Sequence, residues 1–233
     1  MLTEEDTILI VGGSRGIGLA VAEYYAQTGV NLVVVSRTTC KYGTWLAADI
    51  STQSGIEKIA KFFAGKQLDA LLFLGGTWEK NAFTAEYSFL KSDFAEIDQV
   101  ITVNCLAPIK IVKALFDSLI LSPHPRAIFI GSLTALENTA SREVANSASK
   151  YGLRGAIHAL QRELKNSGIG FTVINPGNVA TSEVLNDIKT GAFGEQQPIP
   201  LEDLIKVINC VLSLSPTSYI SEINIVQIDD GAK

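Results

Sequence analysis

The segment Gly12-Gly13-Ser14-Arg15-Gly16-Ile17-Gly18 follows directly on the apolar run 7–11. Glycines at 12, 16 and 18 suit phosphate chemistry. One permits a sharp turn, one lets backbone N–H groups approach a pyrophosphate, and one lets the next helix lie close to the strand. The spacing is GxxxGxG, and the usual dinucleotide pattern GxGxxG fails in every register. Ser36 and Arg37 close the second apolar run, 31–35. At such a strand end an acid selects the ribose hydroxyl of NAD, and a cation selects the 2′-phosphate of NADP. The chain has no acid there, and Arg15 adds a second cation in the glycine turn, so the pattern favours NADP(H). Further along, Asn146 and Lys150 stand four apart, which places both on one face of a helix.

The elements that must carry these residues alternate in type. Runs 7–11, 31–35, 70–74, 127–130, 171–174 and 223–228 are short and rich in Val, Ile and Phe. Consecutive apolar positions predict strands covered on both faces, as in a parallel sheet. Helical periodicity marks 16–28, 53–63, 94–121, 144–166 and 201–214. The alternation predicts βαβ units in an α/β, doubly wound Rossmann fold, one domain over residues 1–233 with helices on both faces. Two stretches break the pattern. Residues 36–49 are too short and too broken by Gly and Thr for a crossover helix, which predicts a loop with a short strand near 45–48. Residues 181–200 carry Gly191, Gly194, Pro198 and Pro200 around a weak helix at 183–188, which predicts a flap over a functional site.

Taken in order, the motifs resemble those of the short-chain dehydrogenase/reductase family over essentially the whole chain. VGGSRGIG at 11–18 is similar to the family's TGxxxGxG, and Ala48-Asp49-Ile50 to its adenine-contacting acid. VNCLAP at 103–108 supplies Asn104, which matches the helix asparagine of the catalytic tetrad, and Ser132 matches the active-site serine. NSASKYGL at 146–153 resembles the YxxxK motif with Lys150 as its lysine. NPGNVAT at 175–181 resembles PGxVxT, which covers the nicotinamide. The resemblance thereby implies cofactor contacts at Gly12, Ser14, Arg15, Gly16, Ile17, Gly18, Ser36, Arg37, Asp49, Ile50 and Gly75. It adds Lys150, Pro176, Gly177, Val179 and Thr181. Three departures stand out. The family's NNAG reads Phe73-Leu74-Gly75-Gly76, the helix after the second strand is missing, and Asn146 replaces the tyrosine.

Without the tyrosine, the set Ser132, Asn146, Lys150 and Asn104 can bind an oxygen but lacks a strong proton donor. Ser132 and the Asn146 amide can donate hydrogen bonds, Lys150 can hold ribose hydroxyls, and Asn104 can carry a water toward Lys150. Losing a positioned general acid costs ~10²–10⁴ in rate. An enolate is a weaker base than an alkoxide, so conjugate hydride addition to a small enone or dienone of a secondary-metabolite pathway is the favoured reaction. The alternatives are ketone reduction with a substitute donor such as Glu143 or water, and a silent NADPH-binding protein. Glu143 itself reads first as a solvated acid at a helix start. Tyr151 and His158 read as packing or interface residues, and His124 as part of a surface turn.

Composition bounds the partners. In 233 residues, 47% hydrophobic and 18% charged, Lys+Arg 19 against Asp+Glu 24 gives −5. A full core is expected and nucleic acid is not. Cys40, Cys105 and Cys210 form no metal or redox pair, and no metal site is expected. The acidic start and the lack of an apolar span predict a cytoplasmic protein without membrane contact. The flap offers Val184, Leu185, Ile188 and Phe193 as lining and Lys189 as a carboxylate partner, so a small, anionic molecule is the expected substrate. Apolar positions on two long helices (Ile97, Ile101, Ile109, Val112, Phe116; Tyr151, Leu153, Ile157, Leu160) and the resemblance together predict a homodimer or homotetramer.

Overall fold

A computed structural model describes residues 3–228. Met1 and Leu2, which open the acidic N-terminal stretch, lie outside the described residues. Seven parallel strands run in the order β3-β2-β1-β4-β5-β6-β7. They are β1 Thr7–Val11, β2 Asn31–Ser36, β3 Thr44–Ala47, β4 Ala70–Phe73, β5 Arg126–Ile130, β6 Gly170–Pro176 and β7 Glu222–Ile225. Within each strand alternate side chains go to opposite faces, so β1 gives Leu9 and Val11 to one core and Ile8 and Ile10 to the other. The first core is covered by α2 Gln53–Phe63, α4 Ala107–Leu119 and α5 Val144–Glu163; the second is covered by α1 Gly16–Ala26 and α7 Leu201–Leu212. This is the expected doubly wound arrangement. The strand order reverses between β1 and β4, and ligands in such sheets lodge outside the carboxyl ends at that point.

Helix starts follow local chemistry. Thr52 caps α2 by accepting the Gly55 N–H at 3.0 Å, and Asp93 caps α3 Phe94–Ile101 by accepting the Glu96 N–H at 2.7 Å. No helix follows β2. Instead β3 pairs parallel with it at the sheet edge, close to the predicted short strand. The run 94–121, expected as one helix, is divided. A π-helical turn, Thr102–Leu106, separates α3 from α4. Pro108 has no N–H for the Asn104 carbonyl, and the Ala107 N–H reaches back to Thr102 instead.

By length and composition alone the run Phe94–Leu119 is apolar enough to cross a membrane, as a core helix also can be. Here Ile111, Val112, Leu115 and Leu119 bury one side of it against the sheet. Val112, Leu153 and Ile157 are fully committed to that core and cannot face a partner chain. Leu106, Ile109, Val144 and Tyr151 are exposed on the same helices.

The flap is closed at its base by a parallel bridge between Val179 and Ile199, with Ala180 N–H to Ile199 O at 2.8 Å. Its helix, α6 Ser182–Lys189, is one residue longer at each end than the sequence suggests, because Thr181 caps it through the Val184 N–H. The last strand ends at Ile225, short of the expected 228. Beyond it the Gln227 side chain ties to Gln196 and to the Gln197 carbonyl under the flap.

One buried cation holds the far edge of the sheet. Arg126, at the start of β5, donates through Nη2 to the carbonyls of Leu214 (3.2 Å), Ser215 (2.7 Å) and Ser218 (3.2 Å). Burial pulls its pKa down, and no acid pairs with it among the described residues. These carbonyls belong to the turn that leads into β7. Arg126→Met should therefore leave them unpaired and lower unfolding free energy by about 2–4 kcal/mol, read from urea denaturation.

Candidate active site

At the switch point the chain leaving β1 meets the chain leaving β4. Gly12 turns with φ +90°, and a Cβ on it would lie 2.3 Å from the Gly75 Cα. A Cβ on Gly18 would lie 2.1 Å from the Gly12 carbonyl oxygen. These two glycines serve the backbone's own packing. Gly16, at φ +54°, differs: a Cβ there would meet only Thr181 Cγ2 at 3.8 Å and Glu183 Oε2 at 3.9 Å. It leaves room above the uncapped N-terminus of α1, where N–H groups favour an anion.

A cavity of about 340 Å³ extends from this turn. Gly12, Ser14, Arg15, Gly16, Ile17, Ser36, Arg37, Asp49, Ile50 and Gly75 line one end. Gly18 lies beneath the turn and not on the wall. Arg15 and Arg37 are exposed, and neither guanidinium has a hydrogen bond or salt bridge among the described residues. The Ser36 hydroxyl is already engaged, donating to Thr38 O at 2.6 Å and accepting from Trp45 Nε1 at 3.2 Å. Burial pushes the Asp49 pKa up, but hydrogen bonds from the Ser51 N–H and hydroxyl and the nearby Arg37 charge outweigh it, and the carboxyl lies below its usual range. Pro176, Gly177, Val179 and Thr181 form the facing wall.

Ser132, Asn146 and Lys150 reach the same cavity. The Ser132 oxygen accepts from the Thr134 N–H (3.2 Å) and hydroxyl (2.9 Å), which leaves its own proton free to donate outward. Asn146 is buried, and its carboxamide has no partner among the described residues. Lys150 donates to the Ile130 carbonyl at 3.1 Å, and burial pushes its ammonium down to about 8.

Asn104 uses its side chain within the protein. It is off the cavity wall. Its carboxamide accepts the Thr77 N–H (2.9 Å) and donates to Thr77 O (2.7 Å) and Ser149 Oγ (3.0 Å). Both its side-chain donors are used within the protein, so the side chain braces the loop after β4.

Other expectations change with packing. Glu143 is not solvated: it is buried, and its Oε1 accepts the Phe83 N–H at 2.8 Å. Tyr151 sends its hydroxyl to the Leu136 carbonyl, and His158 pairs with Glu222 at 3.0 Å. On the flap, α6 turns Glu183, Val184 and Asp187 to the cavity, one and four residues on along one helical face. Leu185, Ile188 and Lys189 fall outside the wall, and Lys189 is exposed. Phe193 lines it as expected.

Several wall residues were not visible in the sequence. Thr77, Trp78, Ala82 and Phe83 come from the irregular loop that stands in place of NNAG, and Gln99 and Val103 from α3 and the π turn. Glu79, on that loop, is buried, and its Oε1 accepts the N–H groups of Ala145 (2.7 Å) and Asn146 (3.1 Å). It supplies the N-terminal cap that α5 lacks locally. The only signal was two aromatics beside an acid in a segment with no periodicity.

Lys150 makes a measurable statement about this site. Its proton leaves the folded protein near pH 8 and the unfolded chain near 10.5. In that window the unfolded chain binds more protons, so this group makes stability rise with pH. Lys150→Met should melt above wild type at neutral pH, and the difference in Tm should narrow as pH rises through the window.

Among curated proteins, the chain is 27% identical over 203 residues to the short chain dehydrogenase ausX of Penicillium brasilianum, covering 83% of this chain and 76% of that one. It is 29% identical over 202 residues to the ketoacyl reductase HetN of Nostoc sp., covering 80% and 68%. Among solved structures, a metagenomic short-chain oxidoreductase in complex with NADP superposes with a TM-score of 0.76 at 23% identity, covering 97% of this chain and 98% of that one. A family model for short chain dehydrogenase matches residues 6–191, from the first strand through the glycine turn and Lys150 into the flap, and the chain belongs to that family.

Proposed function

We propose that the protein is an NADPH-dependent reductase of a small carbonyl compound that favours conjugate addition of hydride to an enone or dienone, as secondary-metabolite pathways use. The observation that carries this reading is Asn146: a buried amide with an unpaired carboxamide facing the cavity, where the family resemblance expects an acidic hydroxyl. Bound NADPH supplies the hydride. The glycine turn, the open space over Gly16 and the two unpaired arginines suit its phosphates, and the NADP-bound structural neighbour supports that choice of cofactor.

The residues then divide the work by charge. As hydride reaches the β-carbon, the double-bond electron pair moves to the carbonyl oxygen and makes an enolate. The Ser132 hydroxyl and the Asn146 amide donate to that oxygen. Lys150 adds positive potential and would hold the ribose hydroxyls of the cofactor. Water then protonates the carbon. An alkoxide would need a proton at oxygen, and neither Ser132 nor Asn146 can supply it readily; that lack corresponds to roughly 3–5.5 kcal/mol of barrier.

Ketone reduction with a water donor is the second reading, supported by the name of the ketoacyl reductase relative. Glu143 is a poor substitute donor, being held on the Phe83 N–H. A silent NADPH-binding protein, the third alternative, would not need the free Ser132 proton. Assembly as a homodimer or homotetramer is supported by the exposed Leu106, Ile109 and Val144 on the helices that flank the sheet.

Two charge-assisted contacts to the 2′-phosphate contribute roughly 1.5–3 kcal/mol each, so NADPH should bind well over tenfold more tightly than NADH. Arg37→Ala should weaken NADPH binding and leave NADH binding nearly unchanged; equal dissociation constants for the two cofactors in the wild type would count against the reading. The reaction itself is tested by turnover with NADPH deuterated at the transferred position. Deuterium on the β-carbon of an enone supports conjugate addition, whereas deuterium on a carbonyl carbon at equal rate with simple ketones overturns it. Asn146→Tyr should gain ketone reduction, because Lys150 already stands where it lowers a phenol pKa.

A further inference from the structure

The loop after β4 and the flap face each other across one part of the cavity, and their chemistry is one-sided. Trp78 meets Phe83 edge to face with ring centroids 6.0 Å apart, and Phe83 meets Phe193 in the same way at 6.1 Å. The rings therefore form a chain that spans from the loop to the flap. The Phe193 N–H donates to the Asp187 carbonyl at 3.0 Å, which ties the last ring to the turn that carries Asp187. The Asp187 carboxylate lines the cavity and has neither hydrogen bond nor ion pair among the described residues.

No cation answers it there. The basic side chains on the cavity wall are Arg15 and Arg37, at the glycine turn, and Lys150, whose ammonium is drawn to the Ile130 carbonyl. Lys189, the expected partner for an anionic substrate, is off the wall. Asn146 adds a buried, unpartnered carboxamide at the inner end, able to accept or donate.

We propose that this part of the cavity binds a compact hydrophobic molecule bearing a positively charged nitrogen. Aromatic faces attract both apolar rings and cations, and an unpaired carboxylate beside them selects the cation over a carboxylate of the same shape. The inference rests on the reductase reading for its site, since the same cavity holds Ser132 and Lys150, but not on where the hydride goes. Its opposite, an anionic substrate, would bring a second negative charge against Asp187, whereas Glu183, by the glycine turn, is already answered by Arg15.

Calorimetric titration separates the two, with benzylammonium, benzyl alcohol and benzoate as probes of matched size, on the protein with and without NADP+. Benzylammonium should bind about tenfold or more tightly than benzoate, with the neutral alcohol between. Asp187→Asn should remove most of that difference without loss of folded protein, because the residue sits on the flap. Benzoate binding as well as or better than benzylammonium, or no binding of benzylammonium at millimolar concentration, overturns the proposal. Turnover of cyclohexenones carrying an aminomethyl or a carboxyl substituent keeps the two readings apart. A benzylammonium preference with neither enone consumed defeats conjugate reduction alone; consumption that favours the carboxyl enone defeats the cation preference alone.

Discussion

The structure turns on the contact between two backbones at the reversal of strand order. Gly12 and Gly75 approach so closely that a single methyl group on Gly12 would fall 2.3 Å from the facing Cα, far inside van der Waals contact. Only glycine allows β1 and β4 to pair along their length and then diverge abruptly to opposite faces. The cavity is the space opened by that divergence. Most of its wall comes from segments at the carboxyl edge of the sheet, namely the turn after β1, the ends of β2 and β3, the loop after β4, the Ser132 turn after β5 and the flap after β6. Gln99, Val103, Asn146 and Lys150 join it from the helices.

A second constraint fixes the wall itself. The loop after β4 has little regular structure, yet it is fastened to the start of α5 by two buried carboxylates that act in opposite directions. Glu79, on the loop, accepts from the backbone of α5, and Glu143, before α5, accepts from the backbone of the loop. Asn104 closes the same assembly from the π turn by gripping both backbone atoms of Thr77. Buried carboxylates are costly unless hydrogen bonds compensate them, and here N–H groups at a helix N-terminus provide that compensation. One oxygen of Glu79 has no partner among the described residues, which leaves part of that cost unrelieved. The result is that the loop carrying Trp78 and Phe83 is tied to the helix start that carries Asn146.

The same fastening positions one wall of the cavity, where Ser132, Asn146 and Lys150 come together. The helix start that carries Asn146 is held from outside by Glu79, which accepts the N–H groups of Ala145 and Asn146. The Asn146 carboxamide offers that wall a hydrogen-bonding group and no readily transferred proton.

The sequence alone determined the order and type of most elements, because consecutive apolar residues in short runs can only be buried on both faces of a sheet. It also determined the glycine turn, the position of the missing helix after β2 and the alignment of Ser132, Asn146 and Lys150, since these follow from local spacing and family motifs. It did not determine which side chains are free. Asn104 and Glu143 read as available groups, and only the fold shows them spent on backbone N–H and carbonyl groups from segments distant in the chain. The charge of the flap wall was misjudged for the same reason. Lys189 and Asp187 are equally polar in sequence, and the helical phase that turns one to the cavity is set by where Thr181 starts α6 and where Val179 and Ile199 clamp its base. Local pattern specifies what a segment will form, but the partners of a polar group are decided by contacts that close only when the whole sheet is in place.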